Sequence, residues 1–437
     1  MEDRMIEKII GALRKAGADD YEIESISQEG WEFYFIRHRL DQNRAKSVHA
    51  VTVKAFKKLD EGRSYGIAQA RIPYGASDED IEKTIGDLVY QAGLAVNPIY
   101  CLNEQEEGSG EAPEEAAHAA EVPELSVMAE DYIRTFAGIP ETETEYLNSF
   151  EIFVNRVDRT FVNSRGISIK QSYPSSLIEV VTNAAEGDRE VELYRLYTRG
   201  TCDRAGLTKD VEELLRFGKD RLRTVPTPAI GKAALIMSTE DAVSIYDYFF
   251  SRMNASNKYM RISDWEIGKP VCPEREGDAV TIKALPFLQG SSSNFAFDDE
   301  GARVRERYIM REGVPENFWG SKRFSDYLGL KDSSMVYNFA VDGGSKPAAE
   351  LRKSPYIEVV EFSSFDCDPM TGDIAGEIRL GYLFDGEKIT PVTGGSVSGN
   401  LRELAGGMYL SSETRQYNNV VIPEVTRIEG VSITGAE

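Results

Sequence analysis

The chain has 437 residues, 41% of them hydrophobic, with 50 Lys and Arg against 73 Asp and Glu. The net charge of −23 sets a mean field that repels nucleic acid and anionic lipid, so direct contact with either is not expected. No apolar run approaches the roughly 18 residues that a spanning helix needs, which argues against a membrane helix.

The start, MEDRMIEKII, carries acids where a secretory signal would carry basic residues and a long apolar stretch, so a cytoplasmic location is the expectation. A helix is predicted over Arg4 to Ala16, with Met5, Ile9 and Leu13 on one stripe and Gly17 as its stop. Four strands follow, Tyr21 to Ser27, Trp31 to Arg37, Val48 to Phe56 and Ser64 to Arg71. Ser77 then caps a second helix lined by Ile81, Ile85, Leu88 and Val89. Together these predict an N-terminal α+β domain over residues 1–101. Residues 102–124, rich in Glu, Ala, Gly and Pro, are too poor in large apolar groups to offset the entropy of ordering them. They are expected to form an acidic, exposed, flexible connector, with His118 inside it.

Residues 125–224 repeat the theme. A helix at Leu125 to Phe136 leads into five short strands, Phe150 to Val157, Arg159 to Asn163, Gly166 to Ser172, Ser175 to Thr182 and Glu190 to Thr198, and a helix from Thr208 to Leu222 closes the segment. "Strands, then helix" thus occurs twice, which suggests a duplication that residue identity is too weak to establish. Val225-Pro226-Thr227-Pro228 is a stiff boundary. Beyond it, residues 225–437 read as a β-rich domain that opens with a buried strand at Ala233 to Met237 and a helix from Ser238 to Met253. The absence of regular βαβ alternation makes the fold class α+β.

Several stretches resemble one family in order and spacing: AGADDYEIE (16–24), EGRSYGIAQA (61–70), FVNSRGI (161–167), the FDDEG block (297–301), the run from Phe365 to Leu404, and IPEVTRIEGVSITG (422–435). Single motifs of this kind are weak, but their common order from residue 16 to 435 resembles the TldD/PmbA family. That resemblance implies a PmbA/TldD-like α+β fold and two-fold dimers. It also implies a pairing of TldD with TldE (PmbA) as a zinc peptidase acting on unfolded peptides. The family label "modulator of DNA gyrase" implies no DNA contact.

In the metal-bearing TldD type, a helix after a buried strand carries two His one turn apart with a Glu, so that both imidazoles face one Zn²⁺. Here Ser238 to Arg252 offers Glu240, Asp241 and Asp247 and no His, and the chain's three His (His38, His49 and His118) all lie upstream. The third ligand, a Cys after a Ser-Gly-Asn element, also has no counterpart, because the last Cys is Cys367. The resemblance therefore implies a metal-free TldE/PmbA-like member with no catalytic or metal residues of its own. Zinc is expected only in a paralogous TldD-like partner. Assembly with that partner, or with itself as a homodimer, and contact with unfolded peptide complete the expectation.

Asp298, Asp299, Glu300 and Gly301 form the most distinctive motif. Adjacent carboxylates on an extended segment alternate in direction, so a turn with acids accepting backbone N–H groups or pairing with Arg303 and Arg305 is the simpler account than a cation site. Cys367 is an alternative nucleophile, between Asp366 and Asp368, but lacks an evident base. Cys101, Cys202, Cys272 and Cys367 contain no CxxC pair, so neither a disulfide framework nor a Cys-only zinc site is expected. Gly394 to Asn400 looks superficially like a phosphate loop but lacks its Lys, and a hairpin or helix-entry loop is the better reading. Two rival functions stand beside the subunit reading: a stand-alone hydrolase working without zinc, and a binding protein that modulates DNA gyrase.

Overall fold

The computed structural model describes residues 2–105, 122–331 and 334–436. Most of the connector, including His118, lies outside the described residues. Its first residue does not behave as an exposed linker: Leu102 is buried with Phe56 and Tyr65.

The N-terminal half is built on α1 (Glu2–Ala16), β1 (Asp20–Ile36), β2 (Arg39–Leu59), β3 (Ser64–Pro73), α2 (Asp78–Ala92), β4 (Asn97–Pro98), α3 (Leu125–Ala137), β5 (Glu145–Asn163), β6 (Ser168–Glu186), β7 (Arg189–Arg199) and α4 (Arg204–Arg221). Its strands make one antiparallel sheet in the order β4-β3-β2-β1-β5-β6-β7. The segments on either side of the connector therefore share a sheet. They are joined where β1 runs against β5 from Glu22↔Asn163 to Ile36↔Ser149. Each side supplies a helix, three strands and a second helix, an arrangement the repeated pattern in the sequence had suggested.

The stripe Met5, Ile9 and Leu13 of α1 packs with Ile81, Ile85 and Leu88 of α2 over Ile23, Val51 and Val53. At the other end of the sheet, Tyr132 and Phe136 of α3 and Val211 and Leu214 of α4 cover Phe150, Ile152, Ile178 and Val180. Ile23 and Phe35 lie an even number of residues apart in β1, so both helix pairs cover the same face. The opposite face, with Glu22, Glu24 and Arg159, is left for the C-terminal half.

Three breaks expected within strands do not occur. β1 runs through Gly30, where a Cβ would collide with Asn155 and the Val154 carbonyl, so the glycine marks close approach by β5. β5 continues through Asp158, and β6 through Pro174, which has a ladder neighbour only on the β5 side because β7 pairs from Ser176 onward. Proline is tolerated there for that reason.

The C-terminal half contains β8 (Val225–Pro226), β9 (Gly231–Met237), α5 (Val243–Arg252), β10 (Ile282–Leu285), β11 (Arg307–Arg311), β12 (Val314–Pro315), β13 (Asn338–Val341), β14 (Tyr356–Cys367), β15 (Asp373–Phe384), β16 (Ile389–Thr393), β17 (Ser396–Asn400), β18 (Met408–Leu410), β19 (Thr414–Tyr417), β20 (Val420–Pro423) and β21 (Thr426–Thr434), with further short helical turns. One sheet follows β14-β9-β21-β17-β15-β16-β8, and β14 also pairs with β15, so five strands close into a ring. A second sheet runs β12-β11-β10-β13-β20-β19. α5 touches β14 and β20, one strand from each sheet, and shares with both a core that includes Leu235, Ile245, Phe249, Ile282, Phe339 and Ile357. Among the described residues, no helix is long and apolar enough to cross a membrane.

Candidate functional site

The helix expected to begin at Ser238 starts with a short 3-10 turn, Glu240–Ala242, and becomes α-helical at Val243. Residues four apart on α5 share a face. Three such pairs are buried at both positions: Ile245 with Phe249, Tyr246 with Phe250, and Tyr248 with Arg252. None of these pairs holds an imidazole: they are hydrocarbon, aromatic rings and the buried guanidinium of Arg252. Burial pushes Asp247 up to about 6, with no charged partner offsetting it. Glu240 and Asp241 are likewise held above the usual carboxylate range, mainly by burial. His49 bonds Ser25 Oγ at 2.7 Å and stacks on Tyr74, while His38 meets Glu141 at 2.9 Å. Both sit on the N-terminal sheet. Among the described residues, no group of three His, Cys, Asp or Glu is placed to hold a metal ion. The donor set beside α5 does not fit zinc, which favours tetrahedral nitrogen and thiolate ligands.

Cys367, at the end of β14, is buried, and burial together with Asp366, Asp368, Asp247 and Asp373 pushes its thiol up to about 12. A thiol so poor in thiolate is not an activated nucleophile. The neighbouring acids build a turn: Asp368 Oδ1 accepts from the N–H groups of Met370 (2.7 Å) and Thr371 (3.0 Å), and Gly372 takes φ +81°. Gly394 and Gly395, both at φ +75°, do not make a hairpin: β16 and β17 pair with successive stretches of β15 in one register, Ile378 bonds both glycines, and Asn400 accepts from Arg402 N–H at 2.9 Å to open the helical turn that follows.

The Phe297–Gly301 block lies against the face of the N-terminal sheet that the helices leave bare. Asp298 is 1% exposed and its carboxylate accepts three backbone N–H groups, from Glu300 (2.9 Å), Ala302 (2.8 Å) and Met335 (3.0 Å). Its pKa is raised because desolvation outweighs those bonds. Arg159 of β5, itself 5% exposed, donates to the Asp298 carbonyl at 3.0 Å and to Glu24 at 2.6 Å and faces Asp299 at 3.6 Å. Glu300 accepts from Lys322 N–H at 2.6 Å, and burial and the nearby Glu22 push it up to about 7. Glu22 is paired with Lys54 at 3.0 Å. The expected turn is present, and the sheet residue Arg159 is a cation that clasps it, a partnership sequence reasoning missed. Glu22, Glu24, Thr52, Lys54, Phe161 and Asp299 line a cleft beside the block.

A second charged contact joins the halves at β7. Arg195, Tyr197 and Arg199 alternate on one face of that strand and, with Asp210 and Glu213 of α4, meet Thr239, Glu240, Arg415 and Tyr417 around a pocket. Arg195 pairs with Glu361, which burial pushes up to about 7. Arg199 reaches Asp210 at 2.6 Å, and Arg415 bridges Asp210 at 2.8 Å and Glu213 at 3.0 Å. Of this set only Glu240 stood out in the sequence. The period-two spacing of Arg195 and Arg199 was the available signal for the rest.

A single long antiparallel sheet backed by two helix pairs, joined to a β-rich half with an aromatic helix under its ring of strands, defines an α+β class with known members. TldE from Thermococcus kodakarensis superposes with a TM-score of 0.78 at 16% identity, over 98% of this chain and 100% of that one. Residues 230–435 match the PmbA/TldA metallopeptidase C-terminal domain family. The protein named Metalloprotease PmbA from Escherichia coli O157:H7 is 24% identical over 292 residues, 61% of each chain. A Metalloprotease PmbA homolog from Haemophilus influenzae is 20% identical over 383 residues, 82% of each. The chain thus spans about three-fifths of the Escherichia coli relative's length in that match. Residues 230–435 thus carry a PmbA/TldA metallopeptidase C-terminal domain, and the chain as a whole shares its fold with TldE.

Proposed function

We propose that this chain is the metal-free, TldE/PmbA-type subunit of a two-component zinc peptidase, carrying no catalytic residues and shaping the chamber of a His-bearing TldD-type partner. The observation that carries this reading is α5: its buried i, i+4 pairs are Ile245/Phe249, Tyr246/Phe250 and Tyr248/Arg252, with no imidazole on the helix. Replacing them with ligands would put unpaired polar groups into a packed core. The expected substrate class is unfolded peptide. A stand-alone Cys mechanism is disfavoured by the protonated state of Cys367.

The test uses the purified full chain. Elemental analysis should find zinc well below one equivalent, and the chain alone should leave casein-derived peptides intact. Adding a family member that carries the two-His helix should produce cleavage that a chelator abolishes. Stoichiometric zinc in the lone chain, or chelator-sensitive cleavage without the partner, would overturn the proposal.

A further inference from the structure

The pocket between β7, α4 and the β19–β20 hairpin is narrow, with a cavity volume of about 40 Å³, and its mouth opens to solvent. Tyr197, Leu214, Phe217 and Tyr417 give it apolar and aromatic walls. Its charges do not close among themselves. Arg195 is matched by Glu361, and Arg199 and Arg415 are matched by Asp210 and Glu213. That leaves three groups over. The Nε–H of Arg199 is buried and has no hydrogen-bond partner among the described residues, and the same holds for the hydroxyl of Thr239, a residue 7% exposed. The carboxylate of Glu240 lies in the field of Arg195 and Arg199 without a direct ion pair.

Unmatched polar groups in a low-dielectric pocket are costly, roughly 1–3 kcal/mol each, unless something occupies the space between them. The set left open here is two donors and one anion. A simple anion would satisfy the donors and be repelled by Glu240. An amine would satisfy Glu240 and leave the donors bare. A zwitterion satisfies both and adds no net charge to ion pairs that are already balanced. We propose that this pocket binds a free α-amino acid with an apolar side chain, its carboxylate accepting from Arg199 Nε–H and Thr239 Oγ1–H and its ammonium lying against Glu240. The aromatic and leucine walls receive the side chain. Burial raises the Glu240 carboxyl above its usual range, and a ligand ammonium beside it would favour its ionised form. A residue released from a peptide has this chemistry, which makes the pocket a sensor of hydrolysis products. The binding is nonetheless a property of the lone chain. Its failure would leave the zinc and cleavage tests of the subunit reading untouched.

Isothermal titration calorimetry on the full chain at neutral pH tests it, with L-leucine and L-phenylalanine as probes. Leucinamide, which lacks the carboxylate, and N-acetyl-leucine, which lacks the ammonium, serve as controls. One of the free amino acids should bind saturably, and each capped analogue should bind roughly tenfold or more weakly. Glu240→Gln should weaken leucine by a similar factor while leaving N-acetyl-leucine unchanged or tighter, and thermal melts check that the variant folds. Absence of saturable heat from either amino acid, the outcome for a pocket that holds only water, would overturn the assignment. So would capped and free ligands of equal affinity, a result that needs no variant.

Discussion

At Phe297–Gly301 the C-terminal half meets β1, β2 and β5 through carboxylates whose oxygens are taken up by backbone N–H groups and by Arg159. At the Arg195–Glu240 pocket it meets β7 and α4 through the same residue types, yet a guanidinium N–H, a hydroxyl and a carboxylate stay unmatched. The ingredients are alike and the outcomes differ. Neither contact answers every group, since Arg159 Nη2 also lacks a hydrogen-bond partner among the described residues; at the pocket a hydroxyl and a carboxylate are left over as well. The comparison also separates the motif most visible in the sequence, which serves packing, from the pocket the sequence barely hinted at.

Removing the Asp298 carboxylate is expected to have the largest effect. Asp298→Ala strands three buried N–H groups and should cost about 3–5 kcal/mol in a denaturant titration. A loss below about 1 kcal/mol would show that the block is not a structural clasp. Next comes Gly301→Ala. The position has φ +78°, and a Cβ would sit 2.9 Å from Phe161 and 3.0 Å from Ile167. Left-handed strain and overpacking together predict about 2–4 kcal/mol, measured the same way.

The third prediction concerns pH. Glu300 rises from the ordinary glutamate value to about 7, so the folded state holds its proton more tightly than the unfolded state does. Its stabilising contribution is complete below about pH 4.5 and is lost as pH climbs through about 7. Glu300→Gln keeps an acceptor for Lys322 N–H and cannot ionise. It should match the native chain near pH 5 and exceed it by about 1–3 kcal/mol at pH 8, read from paired unfolding curves. Identical pH profiles would remove the burial argument for this residue. The smallest effect is expected on the other side of the comparison. Thr239→Val deletes a buried hydroxyl that has no partner among the described residues, so stability should change by less than about 0.5 kcal/mol or rise slightly. A loss near 2 kcal/mol would mean the hydroxyl is already satisfied.

Local patterns were legible where a short segment carries its own instruction. The stripe Met5, Ile9, Leu13 made α1, and Ser77, whose side chain accepts from Asp80 N–H at 3.1 Å, started α2. Glycine and proline misled where a neighbour supplied the reason: Gly30 admits Asn155, and Pro174 sits where β7 is absent, so strands expected to break run on. The turn at Phe297–Gly301 was foreseen from its residues, but Arg159, 139 positions away by chain order, was not, and neither was the convergence of Arg199, Thr239 and Arg415. Registers such as Glu22↔Asn163 join residues with no sequence rule linking them.

By itself the sequence determined the main helices, the α+β class, the family resemblance and the lack of imidazoles on α5, because periodicity, turn chemistry and residue identity are local properties. The tertiary structure alone decided that both N-terminal passes share one sheet, that the acidic block docks on its bare face, and that a pocket opens beside β7. Each of these depends on strand pairing and on how buried charges from distant segments are matched, and the energy of such matching exists only once the chain has brought them together.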